Sequence, residues 1–331
     1  MKKIKITAFA SRPDEAPSFA RLEKELNLDV THVKAGLSLD SVAVAEGSDG
    51  VTFLGNCDVS APVLKKLASM GIKYAASRSA GYNNVDIETA KRLGIHVSNA
   101  RYSPDCVADF SLMLALMVNR RIMVALKRNI CNDFSFPGIM GREMKNMTVG
   151  VMGTGRIGRP VVRDYTGFGC RIIAYDVFQS PEVAAYATYV DKETLFKEAD
   201  IISLHMPLND QTRHIINEKS IATMKDGVVI VNAARGELID TDALIAGLKS
   251  RKVGGAGLDV VEGELGIYHT DHRLSGIDND RLAILRSLDN VVTTGHIAFY
   301  TDQAVDDMVY CGLNSIVQFM TTGKADCEVT C

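Results

Sequence analysis

The sequence predicts an α/β protein of two domains, each a parallel sheet covered by helices. Three observations carry the prediction. The chain has 331 residues, enough for two domains of ordinary size with a core each. Strand-like and helix-like segments alternate along most of it, the pattern of strand–helix–strand crossovers. The alternation breaks once, at a strongly apolar helical stretch and a loose connection, and then resumes in a more regular form.

In chain order, KIKITAFA opens as a strand rich in β-branched residues, and SFARLEKELN follows with apolar residues at helical spacing. LDVTHV and GVTFLG are strands, APVLKKLASMG a helix closed by glycine, IKYAAS a strand, DIETAKRLG a helix and IHVSNA a strand. From Pro104 to about Lys127, DCVADFSLMLALMVNRRIMVALK reads as one long helix, more apolar than a single face requires. Such a helix is expected to pack between domains or subunits. NDFSFPGIMGREMKN is a connection, punctuated by Pro137, Gly138 and Gly141. Six strands are expected after Met147: MTVGVMG, RIIAYD, DIISLHM, GVVIVNA, VGGAGLDV and NVVTTG, with DALIAGLKS and DRLAILRSL among the connecting helices.

Composition narrows the classes of partner. An apolar share of 47%, 23% charged residues and a net charge of −3 describe a soluble globular chain with no basic excess for nucleic acid. The longest apolar runs, such as LMLALMV at 112–118, fall well short of the roughly 20 residues of a membrane span. The opening MKKIKITAFASRPDE is broken by Lys5 and Arg12 and reads as a first strand, not a signal peptide. Seven cysteines, at 57, 106, 131, 170, 311, 327 and 331, form no CxxC pair, which suits reduced thiols in a cytosol. The tail CEVTC is expected to carry two exposed thiols without a role. His269 and His272, in YHTDH, have metal-like spacing but no convincing further ligands, so a polar surface loop and no metal are expected.

The segment TVGVMGTGRIG carries Gly153, Gly155 and Gly158 at the end of a buried-looking strand. Such a spacing is weak evidence alone. In this context the first glycine allows the turn, the second lets backbone amides approach a pyrophosphate, and the third lets the helix pack on the strand with its positive end toward the phosphates. RIIAYD then ends in Asp176, about where an acid binds the ribose hydroxyls of NAD. Val177, Phe178 and Gln179 offer no cation for the extra phosphate of NADP, so NAD is the expected cofactor in a Rossmann-type domain. In that domain the last three strands point their C-terminal ends at the nicotinamide. The fourth predicted strand leads to Arg235, the fifth to Asp259 and Glu264, and the sixth to His296. A lone histidine in an apolar run is usually a packing residue. Here an anion binder, carboxylates and an imidazole converge, which favours chemistry.

These residues resemble a family. GTGRIG, HMPL, NAARGELID, LDVVEGE, the late histidine, RSAGYNNVD and YSPDCVAD are similar to motifs of the NAD-dependent D-2-hydroxyacid dehydrogenases, and most similar to the branch acting on lactate, 2-hydroxyisocaproate and aryl-lactates. The resemblance implies a Rossmann-type domain at 101–298 inserted into a flavodoxin-like substrate domain of residues 1–100 and 299–331, with a cleft between them that closes over cofactor and substrate. It implies that Arg156, Ile157, His205, Met206, Pro207, Thr212, Ala233, Ala234 and Asp259 join Gly153, Gly155, Gly158 and Asp176 around NAD. It implies a catalytic set of Arg235, Glu264 and His296, with Glu264 preferred to Glu262 because it lies five residues after Asp259. The family usually has proline before its histidine; this chain has Gly295, which would loosen the placement of His296.

The expected reaction is the reversible, NADH-dependent reduction of a 2-oxo acid to an R-2-hydroxy acid. Arg235 would grip the carboxylate, with backbone amides near Ala80 and Gly81. His296 would donate a proton to the carbonyl oxygen, and Glu264 would hold the imidazole and favour its cation. An NAD(H)-sensing corepressor on the same fold is the alternative from another class, and a formate dehydrogenase a third reading. For the substrate side chain, Leu54 stands before Gly55 and Asn56 where the 2-oxoglutarate branch carries an arginine, so a second carboxylate would lack a partner. Phe53, Tyr102, Phe299 and Tyr300 are candidate pocket residues. An aryl or branched 2-oxo acid such as phenylpyruvate is expected, pyruvate next, and a cytoplasmic homodimer.

Overall fold

The computed structural model describes residues 3–330, so Cys331 of the CEVTC tail lies outside the described residues. The chain divides into two compact units, Met1–Ser103 with Tyr300–Cys331, and Pro104–Phe299.

The first unit is a five-stranded sheet of β1 (Ile4–Ala8), β2 (Leu28–His32), β3 (Gly50–Phe53), β4 (Tyr74–Ser77) and β5 (His96–Ser98), in the order β2-β1-β3-β4-β5 with every pairing parallel. Helices α1 (Ala16–Glu25), α2 (Ala61–Ser69) and α3 (Ile87–Leu93) connect the strands as the apolar spacing predicts, and Asp86 caps α3 by accepting from the Thr89 amide. The late helix α12 (Asp302–Thr322) returns to this sheet and packs Val309, Leu313 and Ile316 on Ile6, Ala8 and Ala76. A glycine in the middle of that helix has a packing cause. A Cβ on Gly312 would stand 2.7 Å from Cγ of Arg78 and 2.8 Å from Oγ1 of Thr52, so only glycine leaves room for the buried arginine beneath.

Two expectations are corrected in this unit. Phe53 is fully buried in the core with Val51, Leu64 and Leu67 and is no pocket residue, because β3 is central and covered on both faces. Cys327 is not an exposed terminal thiol. The tail runs back along β5, with the Val329 amide donating to the Val97 carbonyl at 2.8 Å, and this buries Cys327 against the thiol of Cys311.

The second unit opens with α4 (Asp105–Asn119) and α5 (Ile122–Ile130), where a single helix was expected. Arg121 takes a left-handed conformation, φ 51°, and turns the chain. Apolar periodicity runs on through the turn, so the sequence pattern is blind to it. The two helices also differ in fate: α4 buries Val107, Leu114 and Val118, whereas α5 buries nothing. The seven-stranded sheet comprises β6 (Thr148–Met152), β7 (Arg171–Tyr175), β8 (Thr188–Tyr189), β9 (Ile201–Leu204), β10 (Val228–Asn232), β11 (Val253–Leu258) and β12 (Val291–Thr293), in the order β12-β11-β10-β9-β6-β7-β8, all parallel. The helices are α6 (Gly158–Thr166), α7 (Pro181–Ala184), α8 (Lys192–Glu198), α9 (Glu218–Thr223), α10 (Thr241–Lys249) and α11 (Asp280–Ser287).

The six expected strands are thus seven. β8 is a two-residue edge strand, too short for any alternation to register. It corrects the assignment of halves as well: β9, the DIISLHM strand, pairs with β6 on the far side of the switch point and is not the third strand of the first half. The glycine-rich VGGAGL of β11 lies between β10 and the edge strand β12, and a Cβ on Gly257 would stand 2.9 Å from Cβ of Leu114, so these glycines let α4 lie close on the sheet. Among the described residues no helix is long and apolar enough to cross a membrane.

Candidate active site

The switch point of the second unit lies between β6 and β9, where connections depart in opposite directions and a crevice forms at the C-terminal strand ends. The glycine turn sits on that edge, and each glycine has its own physical reason. Gly153 has φ +91°, and a Cβ there would strike the His205 carbonyl group at 2.6–2.7 Å. A Cβ on Gly158 would lie 1.9 Å from the Gly153 carbonyl oxygen. Gly155 alone faces open space, which suits the approach of a pyrophosphate to the start of the nine-residue helix α6. Arg156 and Ile157 complete the turn, Arg156 exposed and Ile157 half-buried.

Asp176, just past β7, accepts from the Thr154 amide at 2.6 Å and from the Phe178 amide at 2.9 Å. Its carboxylate is thereby held at the rim of the glycine turn. Thr154 also bonds Tyr189 at 2.8 Å, so the short edge strand β8 helps to brace this corner. Past β9, His205 and Met206 are buried while Pro207 is exposed. The His205 Nε2 lies 2.7 Å from the Ser203 hydroxyl, its Nδ1 has no partner among the described residues, and burial pushes its pKa down to about 3. This imidazole is therefore neutral at any working pH. Thr212 donates to the Pro207 carbonyl at 2.6 Å and closes the following turn.

Strands β10, β11 and β12 are neighbours, and their C-terminal ends carry the remaining candidates. After β10 come half-buried Ala233 and Ala234, then Arg235, whose Nη1 donates to the Ala234 carbonyl at 2.6 Å. Arg235 makes no ion pair among the described residues, which leaves its planar fork for an anion. After β11, Asp259 is fully buried. Its carboxylate accepts from the Thr294 hydroxyl at 2.5 Å and from the amides of Ile297 and Ala298 at 2.9 Å each. Asp259 therefore anchors the loop that bears His296, a task that the sequence did not suggest for it.

After β12, His296 turns its Nδ1 to Glu264 Oε1 at 2.6 Å. The other Glu264 oxygen accepts from the Val261 amide at 2.8 Å. The pair is partly exposed, 33% for His296 and 23% for Glu264, and the imidazole keeps Nε2 for a ligand. Glu262 faces elsewhere. It bonds His214 at 2.6 Å and the Thr241 hydroxyl at 2.6 Å, and although burial raises its pKa, these bonds outweigh burial and hold it below the usual carboxylate range. Which carboxylate meets His296 is thus decided by geometry. His269 donates from Nε2 to the His296 carbonyl at 2.9 Å, and His272 turns its Nδ1 to Ser275.

Within the first unit, Leu54 follows β3, buried at 7% exposure, while half-buried Ala80 and Gly81 follow β4. The Ala80 carbonyl accepts from Asn99 at 2.8 Å, and the Gly55 amide donates to Ser79 at 2.8 Å. Tyr102 lies beyond β5, half-buried. Phe299 ends the second unit, its ring edge-on to His269 at 6.4 Å.

A dinucleotide crevice, with an arginine and a carboxylate-held histidine on strand ends that flank β11, defines a nicotinamide-dependent oxidoreductase acting on an anionic carbonyl or hydroxy compound. Residues 112–298 match the D-isomer specific 2-hydroxyacid dehydrogenase, NAD binding domain. The chain is 43% identical to an aromatic 2-oxoacid reductase of Clostridium sporogenes over 99% of this chain and 100% of the relative. Its structure is similar to that of D-2-hydroxyisocaproate dehydrogenase, with a TM-score of 0.92, 35% identity and coverage of 99% and 100%. It is also similar to D-lactate dehydrogenase with NAD+ from Lactobacillus jensenii, with a TM-score of 0.86, 34% identity and coverage of 98% and 99%. The chain belongs to the NAD-dependent D-2-hydroxyacid dehydrogenases. It is an enzyme that binds NAD and interconverts 2-oxo acids and D-2-hydroxy acids, and the sensor and formate readings give way to that activity.

Proposed function

We propose that Arg235, Glu264 and His296 carry the reaction and that the preferred substrate is an aryl 2-oxo acid. The observation that carries the first part is the 2.6 Å bond between His296 Nδ1 and Glu264 Oε1. It fixes the ring and directs Nε2–H outward as the proton donor. Arg235 takes the substrate carboxylate as a two-pronged anion clamp, and the amides of Ala80 and Gly81 are assigned to that carboxylate on the resemblance of the RSAG turn. Bound NADH supplies the hydride to the carbonyl carbon. The proton passes from His296 Nε2 to the carbonyl oxygen; Glu264 stabilises the imidazolium before that transfer and holds the neutral ring in place after it. In the direction of oxidation, neutral Nε2 takes the hydroxyl proton.

The aryl preference rests on the aromatic 2-oxoacid reductase relative and on Leu54, an apolar buried side chain with no cation for a distal carboxylate. Tyr102 and Phe299 are the proposed aromatic neighbours. Pyruvate is the second reading, favoured by the similarity to D-lactate dehydrogenase. Steady-state rates with phenylpyruvate, 4-hydroxyphenylpyruvate, 2-oxoisocaproate, pyruvate and 2-oxoglutarate, each with NADH and with NADPH, test the assignment. Phenylpyruvate with NADH is expected to give the highest kcat/KM. Preference for 2-oxoglutarate would overturn the inference from Leu54, and equal use of NADPH the inference from Asp176.

The working form is proposed to be a homodimer in a reducing cytoplasm. Supporting this are the exposed Ile122, Leu126 and Ile130 of α5, the exposed Phe134, Phe136 and Met140 that follow, and a cysteine pattern with no CxxC pair. A monomer in sedimentation equilibrium would remove the dimer.

A further inference from the structure

His296 has a left-handed backbone, φ 57°, a conformation that a side-chain-bearing residue holds only when its surroundings impose it. The residue before it does not impose it. Gly295 is the most permissive residue, and a Cβ added there would meet nothing within 4 Å. Three hydrogen bonds hold His296 instead. Its amide donates to the Asp259 carbonyl at 2.8 Å, its Nδ1 donates to Glu264 at 2.6 Å, and its carbonyl accepts from Nε2 of His269 at 2.9 Å.

The last of these comes from a side chain that neither the fold nor the reaction otherwise requires. A carbonyl oxygen can only accept, so the hydrogen sits on Nε2 of His269. His269 is itself left-handed, φ 64°, on a turn whose amides at Ile267 and Tyr268 donate to the Glu264 carbonyl. The two imidazole rings lie 5.9 Å apart, and Phe299 packs edge-on to the His269 ring at 6.4 Å. One short turn, residues 264–269, therefore grips His296 twice. Glu264 sets the rotation of the ring, and His269 sets the peptide plane from which the side chain projects.

We infer that His269 is a positioning residue for His296, supplying from the opposite loop the rigidity that Gly295 does not. The inference rests on His296 being the proton donor. A ring displaced by about 1 Å loses on the order of 10²-fold in rate while substrate and cofactor still bind. The bracket therefore acts on kcat. A role confined to holding the loop folded would instead appear as a lower unfolding midpoint.

The test uses His269→Ala and His269→Gln in the full-length enzyme, with kcat and KM for phenylpyruvate, NADH affinity by fluorescence and the unfolding midpoint. His269→Ala is expected to lose about 10- to 100-fold in kcat, with KM and NADH affinity within about twofold of wild type. His269→Gln offers an amide N–H to the same carbonyl and is expected to recover most of the loss. Wild-type kcat in the alanine variant, or an equal loss in both variants, would overturn the bracket. Should the alanine variant unfold, the glutamine variant decides: its loss of kcat with an unchanged midpoint would contradict the inference. Wild-type turnover in His296→Ala would strike the donor assignment itself, a failure distinct from an inert His269.

Discussion

Two acid–base pairs, one in each unit, could hardly be more different. In the first unit Arg78 and Glu15 meet at 2.8 Å with both side chains wholly buried. Arg78 also donates to the Phe9 and Ala10 carbonyls, stacks over Phe19 at 5.4 Å, and is roofed by Gly312. In the second unit Glu264 and His296 meet at 2.6 Å with a quarter to a third of each side chain exposed. The first pair is saturated on every side. The second leaves one ring nitrogen open. Ion pairing alone therefore says little about role; the unspent hydrogen bond does. A buried pair in which every nitrogen and oxygen has a partner can only hold the fold, because opening it would leave a charge without a partner.

The largest expected effect separates the pairs by activity. His296→Ala should lose about 10²- to 10⁴-fold in kcat, with NADH affinity retained, since general acid catalysis contributes about that much. Stopped-flow NADH oxidation with parallel binding measurements checks it. A variant with wild-type kcat would return His296 to a packing role and erase the contrast. The next effect separates the pairs by stability. Glu15→Ala should cost about 3–5 kcal/mol, read from urea unfolding, because it strands the Arg78 guanidinium in the core. A change below about 1 kcal/mol would show that the pair in the first unit is not the structural member. His296→Ala should leave stability within about 0.5 kcal/mol, the range of a substitution away from the core.

Much of the fold, and the strand ends at which the candidate residues stand, was legible in the sequence. The glycine turn, Asp176, Arg235 and His296 each follow the strand that their spacing predicts, and a strand-to-turn motif survives being read as letters. The parallel sheets were legible because short β-branched runs alternating with amphipathic stretches have few other solutions. What escaped was local or three-dimensional. Arg121 breaks the helix through a single backbone angle, while apolar periodicity continues on both sides. β8 is two residues long. Arg78 stands inside RSAG, a motif read for the amides of Ala80 and Gly81, and nothing in the letters says that its partner is Glu15, 63 positions earlier. Spacing raised His269 as a metal ligand, although its partner is a backbone carbonyl that no sequence pattern records. Glu262 and Glu264 were separable only by resemblance, because both follow Asp259 within five residues.

Those two glutamates offer the most direct test of the central claim, that the proton is delivered by an imidazole held by one particular carboxylate. The measurement is kcat for reduction of phenylpyruvate by Glu264→Gln and by Glu262→Gln, with NADH affinity determined for both. The structure directs Glu264 to His296 and Glu262 to His214 and Thr241. Glu264→Gln should therefore lose at least about tenfold in kcat without losing NADH, since a neutral amide no longer stabilises the imidazolium, whereas Glu262→Gln should stay within about threefold of wild type. Wild-type turnover in Glu264→Gln, or a larger loss in Glu262→Gln, would contradict the account.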